Sequence, residues 1–241
     1  MSSLISMVER SVYQNNPIKA LTDFLEAEER YKTAREVTKM RFVGYVLELG
    51  FDTAKIITSD TYKMVVGGIP RGSFLIMAPN DFGGLPPHFS LLRVKGTSAT
   101  PLSSQVQQTY FELHKKSMPE LDVWTQGELQ WGALECDVLG MFYADPQKAV
   151  KLEFSGDVNN VVSAHKYQVF APDSKLLDLI VNGTVSPESQ YQLGTLRTME
   201  CLLIDSELRE NAIPVRISMK DFKGRRTAMF GKTRLGKSNV V

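Results

Sequence analysis

The feature that most constrains this chain is a glycine-rich segment near its C-terminal end. The pattern G-x-x-x-x-G-K-S runs from Gly231 to Ser238, and this spacing is typical of a loop that cradles phosphates. The glycines let the backbone curl so that successive N–H groups point at an anion. Lys237 supplies a compact cation for β- and γ-phosphates, while the Ser238 hydroxyl is suited to Mg²⁺. The segment therefore predicts a nucleotide site.

The residues on either side of the loop favour the same interpretation. A short, largely apolar strand over 226–230 leads directly into the loop. Ser238 would open a helix whose positive N-terminal end faces the anion. The alternative is a basic, glycine-rich tail, because charged terminal segments are often disordered. Only three residues follow Ser238, whereas a nucleotide-binding fold needs a helix and further strands there, so we expect the chain to be the front part of a larger ATPase.

The composition is that of an ordinary globular protein. The chain has 241 residues, of which 43% are hydrophobic and 23% charged, so it has room for one large or two small domains. The net charge of +1 produces no chain-wide field that would attract nucleic acid. Basic residues nevertheless crowd the C-terminal end of the chain, at Arg216, Lys220, Lys223, Arg225, Arg226, Lys232, Arg234 and Lys237.

The cysteines and histidines do not suggest a metal or nucleophile site. Cys136 and Cys201 lie far apart without a metal ligand at useful spacing, so we interpret them as small buried side chains in a reducing compartment. His88, His114 and His165 form no ligand set, and no G-x-S-x-G motif is present. The sequence has no apolar run of the length of a signal peptide or a membrane span. We therefore expect a cytoplasmic protein with no membrane partner.

The first 38 residues are predicted to form a helical arm. Asn16 is a suitable cap and Pro17 suits the first helical turn. Apolar residues then recur at three- and four-residue spacing, at Ile18, Leu21, Phe24, Leu25, Ala27, Tyr31, Ala34 and Val37. Such a stripe must be buried, either against the arm's own domain or against another chain to which the arm docks. The sequence leaves both alternatives open.

Residues 39–155 are predicted to form a closed or nearly closed β-barrel. Short apolar strands end at Gly, Pro or Asp turns, which is typical of a small barrel; they cover 41–50, 54–58, 73–78, 91–96, 129–139 and 150–154. One helix near 103–117 is expected to be inserted between strands. The glycines within 67–72 are too dispersed for a phosphate loop, so we interpret them as turn and bulge residues.

Several of these segments carry a resemblance to a known family. The strand Phe42-Val43-Gly44-Tyr45-Val46-Leu47 and the turn Gly68-Ile69-Pro70-Arg71-Gly72 are similar to the N-terminal HAS barrel of HerA-like ATPases. The stretch 221–239 resembles that family's junction between strand and Walker A loop, in its Thr-Arg-x-Gly-Lys-Ser-Asn form. The resemblance covers most of the chain from about Phe42 onward. Arg234 and Leu235 replace the glycine that many relatives carry within the loop.

The resemblance and the apolar spacing of the arm together predict a mixed fold in three parts. The resemblance matches residues 39–155 to a HAS-like β-barrel, and residues 156–241 would begin a RecA-like α/β P-loop ATPase core that is truncated just after Walker A. The helical arm (1–38), which is predicted from its apolar spacing, precedes the barrel and has no counterpart in the resemblance. The resemblance also implies ATP and Mg²⁺ as cofactors, with Lys237 catalytic and Ser238 binding Mg²⁺ through its hydroxyl. The implied nucleotide-binding set is Gly231, Lys232, Thr233, Arg234, Leu235, Gly236, Lys237, Ser238 and Asn239.

The resemblance to HerA-like ATPases also implies an activity and partners. HerA-like proteins are hexameric, ATP-dependent DNA translocases or helicases, with DNA in the central channel and a nuclease or other effector in DNA processing or anti-phage defence. The Walker B acid, the catalytic glutamate and the arginine finger would lie beyond Val241, so the chain alone is expected to be inactive. The alternative is a non-catalytic module that oligomerises and docks an effector.

Overall fold

The computed structural model describes residues 17–34, 40–79, 88–98, 130–144, 152–158, 163–183, 187–196 and 213–226, with single positions at 108, 112, 185 and 228. The helices are α1 (Pro17–Ala34), α2 (Asp60–Val65) and α3 (Ser174–Asn182). The strands are β1 (Phe42–Leu49), β2 (Thr53–Ser59), β3 (Phe74–Pro79), β4 (His88–Ser98), β5 (Trp131–Ala144), β6 (Leu152–Ser155), β7 (Tyr167–Phe170), β8 (Gln190–Thr195) and β9 (Pro214–Ser218). Single 3₁₀ turns cover Ala164–Lys166, Pro187–Ser189 and Met219–Asp221. Within these ranges, no helix is both long enough and apolar enough to cross a membrane.

Six antiparallel strands close into a barrel. The strand order is β2-β1-β7-β3-β4-β5, and β5 pairs back with β2 to complete the ring. The far end of the long strand β5 pairs with β6 outside the ring. The interior is filled by side chains that include Val43, Ile56, Leu75, Leu92 and Val169, as expected for a barrel too small to hold a channel. The prediction of a small β-barrel is therefore confirmed.

The barrel extends further along the chain than the predicted boundary at residue 155. Its closing strand is β7, which pairs with β1 on one side and with β3 on the other. Strand pairing is decided by long-range contacts, which the local sequence around residue 155 does not reveal. A RecA-like core is not seen in the described residues, and the helix predicted near 103–117 lies almost entirely outside them.

Helix α1 packs on the barrel of its own chain. Leu21 is 2% exposed and Phe24 is 5% exposed, and both belong to a second apolar cluster with Phe42, Phe170 and Leu176. The rings of Phe24 and Phe170 meet edge to face with their centroids 5.8 Å apart. Of the two alternatives left open by the sequence, burial against the arm's own domain is therefore the one that these two side chains adopt.

A buried carboxylate fixes α1 to the beginning of β1. Glu28 is 6% exposed, and its two carboxylate oxygens accept hydrogen bonds from the backbone N–H of Arg41 at 3.0 and 2.9 Å. The Arg41 side chain in turn donates through Nε to the Ala171 carbonyl at 2.9 Å. Burial raises the pKa of Glu28 above its ordinary value of 4.5, against the opposing effects of the Arg41 hydrogen bond and charge.

This buried group predicts a pH-dependent stability. Because the pKa of Glu28 is raised in the folded state, the folded chain binds this proton more tightly than the unfolded chain does. The contribution of Glu28 to the free energy of unfolding should therefore fall as the pH rises from 4.5 through the folded-state pKa. Glu28→Gln does not titrate, so the stability of the wild type relative to this variant should be greatest in acid and decline with rising pH.

Urea unfolding between about pH 4 and about pH 8 measures this difference. Glu26→Gln, at an exposed position of the same helix, is the control and should leave the pH dependence of unfolding unchanged. Parallel stability profiles for the wild type and Glu28→Gln over that range would contradict the prediction.

Close approach of two strands requires a glycine at position 44. A Cβ atom built on Gly44 would collide with the carbonyl oxygen of Ile57 in β2. Next to it, the Thr58 hydroxyl donates to the Val43 carbonyl at 2.7 Å. Gly44→Ala should therefore force the strands apart and lower the free energy of unfolding by about 2 kcal/mol. The control is Gly96→Ala in β4, where an added Cβ would meet no atom within 4 Å. Equal denaturation midpoints for the two variants would contradict the requirement for glycine at position 44.

Candidate functional site

The predicted phosphate loop itself lies outside the described residues. This applies to every member of the predicted nucleotide-binding set from Gly231 to Asn239, including the catalytic candidate Lys237 and the Mg²⁺ candidate Ser238. The structure does describe the path by which the chain approaches the loop. This path consists of the β8–β9 hairpin and the residues 219–226 that follow it, here called the basic turn. These elements are the described part of the candidate site.

The hairpin is a separate two-stranded antiparallel sheet. Its register pairs Gln190 with Ser218 and Tyr191 with Ile217, and an irregularity follows Gln192. All six residues of β8 are exposed. Because an isolated two-stranded sheet is only marginally stable in water, the hairpin must be held by the rest of the molecule.

The side chain of Asn182 provides that support. Asn182 is the last residue of α3 and is 5% exposed. Its Nδ2 donates to the Pro214 carbonyl at 2.7 Å, and its Oδ1 accepts from the Arg216 N–H at 2.8 Å. The Ile213 carbonyl accepts from Leu196 on the β8 side, so the groups of Pro214 and Arg216 face away from β8. Asn182 therefore occupies the place of a neighbouring strand.

An ion pair strengthens the same junction. Asp178, one turn before Asn182 in α3, accepts from Asn182 Nδ2 at 2.8 Å and from Arg216 Nη1 at 3.2 Å. The other end of α3 packs on the barrel, because Leu176 is fully buried in the apolar cluster with Phe42 and Phe170. The helix begins there with a bond from the Leu176 N–H to the capping carboxylate of Asp173 at 2.8 Å. Helix α3 thus connects the barrel core to β9, the strand that precedes the predicted phosphate loop in the sequence.

Loss of the Asn182 side chain should release β9. Asn182→Ala leaves the Pro214 carbonyl and the Arg216 N–H without their partner, which should cost about 2–4 kcal/mol in stability. Amide hydrogen exchange of the hairpin is the direct measurement, and its protection should fall more than that of the barrel strands. Lys175→Ala, at an exposed position of the same helix, is the control. Unchanged protection of β9 in Asn182→Ala would show that the hairpin is held by other contacts.

The basic turn follows β9 and is exposed throughout. All eight residues from 219 to 226 are exposed. The turn is held by bonds from the N–H of Lys223 to the Met219 carbonyl at 3.1 Å and from the N–H of Arg225 to the Phe222 carbonyl at 3.2 Å. Gly224 has a φ of 74°, which L side chains rarely adopt, so glycine suits this position.

The structure separates the basic residues that the sequence groups together. Arg216 is committed to Asp178 inside the junction, and Lys220 pairs with Glu188 at 2.9 Å on the surface. Within the described part of the chain, no ion pair involves the side chains of Lys223, Arg225 or Arg226. These three cations, adjacent to the exposed Phe222, give the candidate site its chemical character: positive charge beside an aromatic ring.

Burial makes Cys136 unsuited to act as a nucleophile. Cys136 is 1% exposed, and burial raises the pKa of its thiol to about 12, which leaves it protonated and unreactive at neutral pH. Its interpretation as a small buried side chain is confirmed, while Cys201 lies outside the described residues. The described ranges contain no group of three or more His, Cys, Asp or Glu residues that could hold a metal ion.

Comparison with known proteins gives no assignment. No protein-family model matches the chain. No curated protein matches it either. The family resemblance therefore rests on the sequence segments themselves.

Proposed function

We propose that this chain supplies the assembly barrel and the phosphate loop of a HerA-like, ATP-dependent DNA translocase. The observation that carries the proposal is the occurrence of two features in one chain: a small closed β-barrel and, after it, the Thr-Arg-x-Gly-Lys-Ser-Asn form of the Walker A pattern. The barrel supports only the assembly part of the proposal. The motor part depends on the loop sequence from Gly231 to Ser238.

Each loop residue would have a definite task. Backbone N–H groups around Gly231 and Gly236 would face the phosphates, and Lys237 would neutralise charge on the β- and γ-phosphates. The Ser238 hydroxyl would hold Mg²⁺ between them. Hydrolysis also requires an acid that orients water and a cation from a neighbouring subunit. A ring of subunits, six in the family, satisfies the last requirement and provides a channel for DNA.

The junction at Asn182 would couple the phosphate loop mechanically to the barrel. Strand β9 is held to α3, and α3 is packed into the barrel. A change in the position of the phosphate loop would therefore be transmitted through β9 to a helix that is fixed in the barrel core. This arrangement would connect nucleotide state to the part of the protein that assembles the ring and contacts a nuclease or other effector.

The direct test uses the full-length protein. Its ATPase rate is measured with and without double-stranded DNA, and its particle mass is measured by mass photometry in the same buffer. We expect one defined ring mass and an ATPase rate that DNA stimulates. A protein that fails to bind ATP in the presence of Mg²⁺ would rule out the motor.

A non-catalytic assembly and docking module is the second candidate. It is favoured by exposed aromatic and thioether groups around α2 on the barrel surface, where Tyr45 is 38%, Trp131 40% and Met64 58% exposed. Trp131 lies edge to face with Tyr62 at a centroid distance of 6.2 Å. Aromatic residues and Met are enriched at protein interfaces. Ring assembly and effector binding without any ATP binding would select this candidate over the motor.

A further inference from the structure

The basic turn combines charge and apolar surface in a way that the phosphate loop does not explain. Four basic side chains and one acidic side chain lie within the eight residues 219–226. The chain as a whole carries a net charge of only +1, so this concentration is local. Lys220 is partly neutralised by Glu188. Lys223, Arg225 and Arg226 are exposed, as is every other residue of the turn.

Two exposed aromatic residues are close to these cations, one along the chain and one across the hairpin. Phe222, between Lys220 and Lys223 in the sequence, is 40% exposed. Tyr191 is 56% exposed and pairs with Ile217, one residue before the end of β9. The register of the hairpin therefore brings Tyr191 next to the beginning of the basic turn. Exposed rings are costly in water, and their position among cations indicates a ligand with both negative charge and flat apolar surfaces.

We propose that the basic turn, together with Tyr191, binds single-stranded nucleic acid. The cations would contact successive phosphates, and the rings of Phe222 and Tyr191 would stack on unpaired bases. Stacking distinguishes this ligand from a duplex, whose bases are already stacked on each other and present only their edges in the grooves. It also distinguishes the ligand from an anionic membrane surface, which offers charge but no flat ring to stack on. The basic turn precedes the predicted phosphate loop in the sequence, and this proposal goes beyond the proposed motor.

The anchoring of the hairpin suits such a site. Stacking is effective only when the ring is held in place, because a mobile side chain loses more entropy on binding. Asn182 and Asp178 hold β9 immediately before the turn. The hydrogen bonds within the turn and the left-handed Gly224 fix the backbone that carries Phe222 and Arg225.

The test measures fluorescence anisotropy of a labelled oligothymidine with the 241-residue chain, without ATP or Mg²⁺. Lys223→Glu/Arg225→Glu should lower affinity by about tenfold or more and reduce the slope of log affinity against log salt by about 1.4, since each single-strand phosphate contact contributes about 0.7. Phe222→Ala should weaken binding by about tenfold with little change in that slope. Lys166→Glu/Lys175→Glu, at exposed positions elsewhere, is the control with the same charge change and should bind as the wild type does.

Competition identifies the ligand class. Unlabelled single strands should displace the probe more effectively than a duplex of the same length or vesicles containing phosphatidylserine. Tighter binding of the duplex or of the vesicles would overturn the proposal, as would no binding at all or equal weakening by the control variant.

Photo-cross-linking of a thiothymidine oligonucleotide to the wild-type chain tests the site without any substitution. Misfolding of a variant therefore cannot affect the result. Cross-links should map to 219–226 or to Tyr191, and cross-links confined to other residues would overturn the proposal. Because ATP and Mg²⁺ are absent throughout, an inactive phosphate loop would not affect these results. The failure of this proposal and the failure of the motor proposal are therefore distinguishable.

Discussion

Replacement of Lys237 by alanine is expected to abolish ATP-driven DNA translocation in the full-length protein while leaving its ring mass unchanged. In the proposed site, Lys237 neutralises charge that develops on the β- and γ-phosphates during transfer. Loss of one such preorganised contact typically costs a few kcal/mol, which corresponds to roughly a hundredfold or more in rate. The barrel core is formed by residues from β1 to β7, so its packing should not depend on this side chain.

The matched comparison is Arg234→Ala in the same loop. Arg234 is not one of the residues that the phosphate-loop pattern requires, so its replacement should reduce the ATPase rate much less. ATPase rate, DNA translocation and particle mass are measured side by side for both variants and the wild type. A near-normal ATPase rate in Lys237→Ala would mean that the segment from Gly231 to Ser238 is not a working phosphate loop, and the motor proposal would fall with it.

Leu21→Asp is expected to destabilise the fold strongly. Leu21 is 2% exposed in the apolar cluster that joins α1 to the barrel and α3. The substitution removes buried apolar contacts and places a carboxylate within that apolar cluster. The combined cost should be about 4 kcal/mol or more, a large fraction of the stability of a typical domain. Thermal unfolding followed by circular dichroism measures the effect.

The control for this variant is Glu26→Asp, which places the same new side chain at an exposed position of the same helix. It should change the melting temperature little. Particle mass should be measured for both variants at a temperature at which each remains folded. If Leu21→Asp melts as the wild type does but no longer assembles, α1 is a docking arm in solution and does not depend on the contact with its own barrel.

The barrel could be predicted because its signals are local. Alternating apolar residues mark β2, whose burial alternates along most of its length, and turn residues separate the strands. The sequence did not reveal that β7 closes the ring, since four residues carry little periodicity and their partners β1 and β3 lie far away in the sequence. It also did not decide where α1 is buried, because an apolar stripe shows that burial is needed but not the surface that provides it.

For the candidate site, the sequence predicts the phosphate loop but not the contacts that support the hairpin before it. The glycine and lysine spacing of the loop is a local pattern and can be recognised without a structure. In the sequence, Asn182 follows the short apolar run 176–180 and precedes Gly183, which indicates only the end of a short helix. Its contacts to Pro214 and Arg216 lie more than thirty positions away in the sequence. No local pattern indicates such a partner, so the support of the hairpin required the three-dimensional arrangement.

The late position of the closing strand has a consequence for synthesis on the ribosome. β1 and β3 emerge early, but the strand that lies between them, β7, is translated only after β4, β5 and β6. Until Phe170 has left the exit tunnel, the facing edges of β1 and β3 have unpaired backbone groups that can pair with another nascent chain. Aggregation of nascent chains is therefore most favoured between translation of β3 and translation of β7. A pause in translation within that interval would increase it.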